Sequence, residues 1–152
     1  MSVDFYVAVP AANWPTAASV ERCMVAQSYP VRIKRFPSLD RGRIVTDGAL
    51  AVIDGKDAYL EGELSIASAA RHDVEMVNAR LRAAASPDTI RPDDALLAIH
   101  VRSPAEMRAA SYVLSALIVC FDGFGFEPQG DTSGRAAFAR SLVAGAEALK
   151  GL

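Results

Sequence analysis

The chain has 152 residues with a formal net charge of −2; 51% of them are hydrophobic and 22% charged. That balance excludes a disordered tail and a repeat fibre, and the near-neutral charge excludes general electrostatic attraction to a polyanion. A folded chain of this length hides about 68% of its extended surface, so one cooperative domain over residues 1–152 is expected.

Asp4 to Val9 is a short apolar, β-rich run ended by Pro10, the pattern of a buried first strand. Asn13-Trp14-Pro15-Thr16 signals a helix start, with Thr16 or Asn13 as cap. Ala17, Val20 and Met24 then share one face, with Cys23 beside them. Tyr29-Pro30 stops that helix, because the residue before proline avoids the α region. Val31 to Phe36 is the next strand, and Pro37 to Gly48 a loop with a short extended piece at Arg43-Ile44-Val45. Ala49–Ile53 and Ala58–Ala67 are the arms of a hairpin turning at Asp54-Gly55. In the second arm Leu60, Leu64 and Ile66 alternate with Tyr59, Glu61, Glu63 and Ser65, giving one core face and one wet face. Gly62 on the inner face marks a bulge or the close approach of a helix.

Asp73 to Ala85 has helical periodicity, with Val74, Val77, Leu81 and Ala84 inward. Ser86 to Asp94 is a proline-bearing connection and Ala95 to Arg102 a strand. Ser103-Pro104-Ala105-Glu106 then combines a capping serine, a proline at the first helical position and a glutamate three residues on. The helix it opens runs to about Phe121 and is apolar nearly all round from Tyr112, so Tyr112–Phe121 is expected to be a water-free central pillar. Phe124 to Glu127 is a short strand and Pro128 to Gly134 a loop. Gly134 to Lys150 is a final helix with Phe138, Leu142, Ala146 and Leu149 inward. The order β-α-β-β-β-α-β-α-β-α predicts an α+β two-layer sandwich, with about four helices on a mixed, mainly antiparallel sheet of roughly five to six strands.

The start, Met1-Ser2-Val3-Asp4-Phe5, lacks the cationic region of a signal peptide. The apolar window Tyr112–Phe121 is about half of a bilayer crossing. A cytoplasmic protein away from membranes is expected. Cys23 and Cys120 lie among apolar neighbours and read as reduced, buried small hydrophobes, with no spacing that supports a disulfide.

Chemistry has few places to live. The run Gly130-Asp131-Thr132-Ser133-Gly134-Arg135 joins a strand to a helix start, which presents free backbone N–H groups to an anion. Thr132, Ser133, Gly134 and Arg135 are therefore the anion-binding candidate. The run lacks the Lys-Ser or Lys-Thr of a phosphate-binding P-loop, Asp131 opposes an anion, and ordinary capping accounts for the same residues. Arg32, Lys34, Arg35, Arg41 and Arg43 stand against the single acid Asp40 and form the partner-binding candidate, although edge-strand protection also explains them. Only Phe36 accompanies that run, too little aromatic surface for nucleic-acid bases. Cys23, His72, His100 and Cys120 lack the close local pairing of zinc ligands, so no metal or other cofactor is predicted.

His100, near a strand end and close to Ser103, is the one candidate general base. No serine elbow, Cys–His signature or His-Glu-x-x-His accompanies it. The carboxylates Asp93-Asp94 and Asp54/Asp57 lie in turn-rich sequence, where aspartate serves turn geometry. Two functional classes follow. The first is a small intracellular non-catalytic module that binds another protein, inhibitor- or immunity-like in scale. The second is a small enzyme or anionic small-ligand binder using a cleft near His100, Arg102 and the Gly130–Arg135 loop, in which His100 and Arg135 would line one cavity. A homodimer through exposed strands and the alanine-rich final helix is compatible with either.

Overall fold

Local signals set the element limits. Thr16 caps the first helix, α1 (Ala17–Ala26), accepting from the Ser19 backbone N–H while the Ser19 side chain returns to the Thr16 backbone. Two such reciprocal bonds satisfy donors that the first helical turn leaves free. Ser103 caps α3 (Pro104–Phe121) with one such bond, accepting from Glu106 N at 3.1 Å, and Asp122 ends that helix in the left-handed region. The remaining helices are α2 (Arg71–Ala83) and α4 (Ala136–Ala148).

The computed structural model describes residues 2–151. Its strands are β1 (Val3–Pro10), β2 (Val31–Arg35), β3 (Ala49–Ile53), β4 (Lys56–Ile66), β5 (Asp94–Val101), β6 (Phe124–Glu127) and β7 (Thr132–Gly134). They form one sheet in the order β2-β3-β4-β5-β1-β6-β7. The α+β class and the four helices are as the sequence predicts, but the sheet has seven strands and every neighbouring pair is antiparallel. The added strand is β7, which occupies the span read as loop and pairs Gly134 with Gly125 and Thr132 with Glu127. The final helix accordingly starts at Ala136. The Asp54-Gly55 turn forms with both residues at positive φ, as a two-residue hairpin requires. Of the extended piece at Arg43–Val45, only Val45 pairs, with Leu64.

The larger core lies between one face of the sheet and the helices α1, α3 and α4, and includes Phe5, Val7, Val9, Leu97, Ile99, Leu114, Leu117 and Phe138. On the other face, Val77 and Leu81 of α2 join Ile90, Ala8, Leu96, Phe124 and Phe126 in a smaller cluster. Part of the sheet is therefore covered on both sides. Alternation along β1 explains the division: Phe5, Val7 and Val9 point one way and Ala8 the other.

Helix α3 touches β1 through β6, so it is the central pillar. Tyr112 to Ile118 are buried, but Val119 is 40% exposed and Cys120 is exposed, so the water-free part stops one turn earlier than the sequence suggests. Helix α3 also has the length and composition of a membrane-crossing helix, with 61% of it buried inside the protein. The close approach at Gly62 is made by a strand and not a helix: a Cβ there would collide with the Ala98 carbonyl oxygen of β5.

The two cysteines form a disulfide between α1 and α3, Cys23–Cys120, with their Cα atoms 6.3 Å apart. That separation lies within the range a bridge spans. The expectation of two reduced, buried thiols is corrected on both counts, since Cys23 is buried and Cys120 is exposed. The partners are 97 residues apart in sequence and meet only because α1 and α3 pack side by side.

Candidate functional site

His100 lies at the far end of β5, where Nδ1 is 2.5 Å from Asp4 Oδ1. Its side chain is about one third exposed and lines none of the larger cavities. Arg102 beside it is paired with Glu61, whose carboxyl that hydrogen bond holds below the usual range. The Gln129 side chain reaches the same end, accepting from the Asp4 backbone N–H at 3.2 Å.

Arg135 is elsewhere. The hairpin of β6 and β7 carries the chain from Gln129 back along the sheet, so Arg135 emerges at the opposite end from His100. There its Nε donates to Asp88 at 2.9 Å and its Nη1 to Asp122 at 3.1 Å, while the guanidinium lies over the Phe124 ring. His100 and Arg135 therefore line no common cleft. Thr132, Ser133 and Gly134 belong to β7, and the Gly125–Gly134 and Phe126–Ser133 pairs of its ladder engage backbone that a loop would leave free. Arg135 stands at the N-cap of α4 without a side-chain cap, already held between two carboxylates.

A cavity of about 410 Å³ surrounds Arg135 where β1 ends and β5 and β6 begin. It collects Arg41 and Arg91 with Asp88, Asp93, Asp94 and Asp122. Asp94 is nearly buried and caps its own turn, accepting from Arg91 N at 2.9 Å, and burial pushes its carboxyl above the usual range. Carboxylates outnumber cations here, and the best-placed cation is doubly paired.

The basic run is also largely engaged with the chain's own acids. Arg32 pairs with Glu21 at 3.1 Å, Lys34 with Asp57 at 2.9 Å and Arg43 with Asp40 at 3.2 Å. Arg35 donates to the Asp47 carbonyl and lies over the Tyr59 ring. Arg41 lines the Arg135 cavity and a second hollow beside Trp14. Lys34 on edge strand β2 reaches Asp57 on β4 across β3, so the basic and acidic runs meet over the intervening strand.

The most distinctive cation is one that the sequence analysis passed over. Arg108, on the first half of α3, keeps only 7% of its side chain exposed. A guanidinium that deep is costly unless its donors are met. Its Nε donates to the Ala146 carbonyl at 3.3 Å, near the end of α4, and its Nη1 to Asp54 at 2.5 Å in the β3–β4 turn. Nη2 has no protein partner among the described residues and is not fully sealed from solvent, and Arg108 lines the adjoining cavity.

That cavity measures about 560 Å³ and gathers four parts of the chain. Gln27 to Pro30 follow the end of α1, Asp54 comes from the hairpin turn, Arg108 and Tyr112 from α3, and Val143, Glu147 and Lys150 from α4 and just beyond. Tyr29 and Tyr112 pack as a tilted pair, 5.2 Å between centroids. Burial pushes both phenols above the ordinary tyrosine value, so both are neutral hydroxyls at neutral pH. The result is a concave site of small-molecule size lined by two tyrosines, the nearly buried Arg108 and a second cation, Lys150, with Asp54 and Glu147 as its carboxylates. The sequence did hold a signal: between Met107 and Phe121, Arg108 is the only charged residue. Set against family models, curated proteins and solved structures, the chain matches none of them.

Proposed function

We propose that the protein binds a small molecule carrying a carboxylate or phosphate, with the anionic group seated on Arg108. One observation carries this reading: a guanidinium almost wholly withdrawn from water lines a cavity of about 560 Å³ and keeps one edge that no described residue partners. An oxyanion there completes the fork with charge-assisted hydrogen bonds, which are the strong ones. The binder class is one the sequence left open. Its place moves from the His100–Arg135 region to the α1–α3–α4 junction. Binding of another protein through Arg32, Lys34, Arg35, Arg41 and Arg43 is less favoured, because most of those charges are neutralised within the chain. The Cys23–Cys120 bridge favours an oxidising compartment over the reducing cytoplasm.

Phenylacetate and inorganic phosphate are suitable first probes, followed by amide chemical shifts. Addition of at least one is expected to move the signals of Ser28, Tyr29, Tyr112 and Glu147. In Arg108→Gln the affinity falls by about ten- to a hundredfold, the value of a hydrogen bond to a charged group. Tyr29→Phe, which keeps the ring and removes the hydroxyl, is the companion variant should Arg108→Gln fail to fold. Unmoved signals with both probes would refute the reading, as would full affinity in the folded Arg108 variant.

A further inference from the structure

The Arg108 cavity does not end at Tyr29. A second hollow of about 500 Å³ shares Gln27, Tyr29, Val143 and Glu147 with it and continues along α4. Its lining from α4 falls at helical spacing on one stripe, the apolar Ala136, Ala139, Val143 and Ala144 together with the exposed Arg140 and Glu147, and Val119 of α3 completes it. From Ala136 to Glu147 that stripe is about 16 Å long at the rise of an α-helix. Val119 lies at 40% exposure, an apolar side chain that the described residues cover only in part.

We infer that the ligand is an acyl carboxylate of medium length, its head on Arg108 and its hydrocarbon chain laid along α4 in the groove floored by Ala139, Val143 and Val119. This rests on the anion-binding reading above and adds the chemistry of the rest of the molecule. Charge complementarity sets the polarity of the occupant, because the nearly buried cation lines the cavity at one end of a trough with an apolar floor, whose charged lining, Arg140 and Glu147, is exposed. The walls favour a hydrocarbon over a peptide. They are helix faces whose backbone groups are already bonded within the helices, so a peptide's N–H and C=O groups would find few partners there. A saturated chain makes no such demand and gains by leaving water. The groove is long enough for roughly ten to twelve carbons at the helical rise given above.

Calorimetric titration with acetate, hexanoate, decanoate and tetradecanoate tests this on the intact oxidised protein. Affinity is expected to rise about twofold per methylene, since the groove is open on one side, and to level off beyond roughly twelve carbons. Val119→Asp, at a partly exposed position, is expected to weaken decanoate at least about fivefold and leave acetate unchanged. Equal affinity for acetate and decanoate would overturn the acyl-chain inference and leave the anion site standing. No binding of any member, together with silent phosphate and phenylacetate titrations, would overturn both. Sedimentation as a dimer that Val119→Asp dissolves would assign the groove to a second copy of the chain and likewise overturn the inference.

Discussion

Replacing Leu117 with alanine is expected to lower the unfolding free energy by about 2–5 kcal/mol. Leu117 is fully buried at the middle of α3, the one helix that reaches β1 through β6. Removing its branched end leaves a void that the antiparallel frame cannot collapse to fill, so lost transfer free energy and the cavity term add. Aspartate at the same position is a harsher test. It would place an unpaired carboxylate where no described partner lies, and cooperative unfolding in urea is expected to disappear. Leu117→Ala within about 0.5 kcal/mol of wild type, a change typical of surface substitutions, would show that α3 is not the organising element.

The second large effect belongs to the disulfide. Cys120→Ser in the oxidised protein is expected to cost about 2–4 kcal/mol, because the bridge closes a long loop of the unfolded chain. The 97-residue separation puts it among the long closures. Cys120 is exposed, so serine there removes the bond with little packing penalty, which Cys23→Ser would not. Urea melts with and without reductant check this: wild type should fall to the stability of Cys120→Ser when reduced, and the variant should not respond. The same bond ties α1 to α3, and the Gln27–Tyr29 wall of the Arg108 cavity follows directly from α1. The reduced protein is therefore expected to bind the anionic probes more weakly.

Much of the fold was legible because strong local signals agreed with the final packing. The Thr16 and Ser103 caps and the Asp54-Gly55 turn formed where the residues place them, and the alternation of the second hairpin arm holds as far as Leu64, while Ser65, read as wet, is buried. Strand β7 was not legible, since Thr-Ser-Gly after Pro128 and Gly130 carries turn chemistry and becomes a strand only by meeting β6. The helix on the far face is similar: α2 has an ordinary amphipathic stripe, and which side of the sheet it covers is decided by where the sheet places Ala8 and Leu96.

The site was less readable than the fold, for a specific reason. His100, Arg102 and Arg135 carry the residue types of chemistry, yet each finds a nearby acid and is satisfied. Arg108 looked like an ordinary helical arginine until α4 and the β3–β4 turn closed over it. Burial, not residue type, made it distinctive, and burial is a property of contacts far apart in the chain.

The place of β1 in the sheet has a consequence for how the protein is made. The earliest of the described strands, β1, pairs with β5 on one side and β6 on the other, Tyr6 facing both Ala98 and Phe126. At translation speeds of about 5–20 residues per second, its apolar run waits several seconds for its first neighbour. During that interval it is an unpaired, aggregation-prone edge, so nascent chains halted before β5 are expected to need a holding chaperone that completed chains do not.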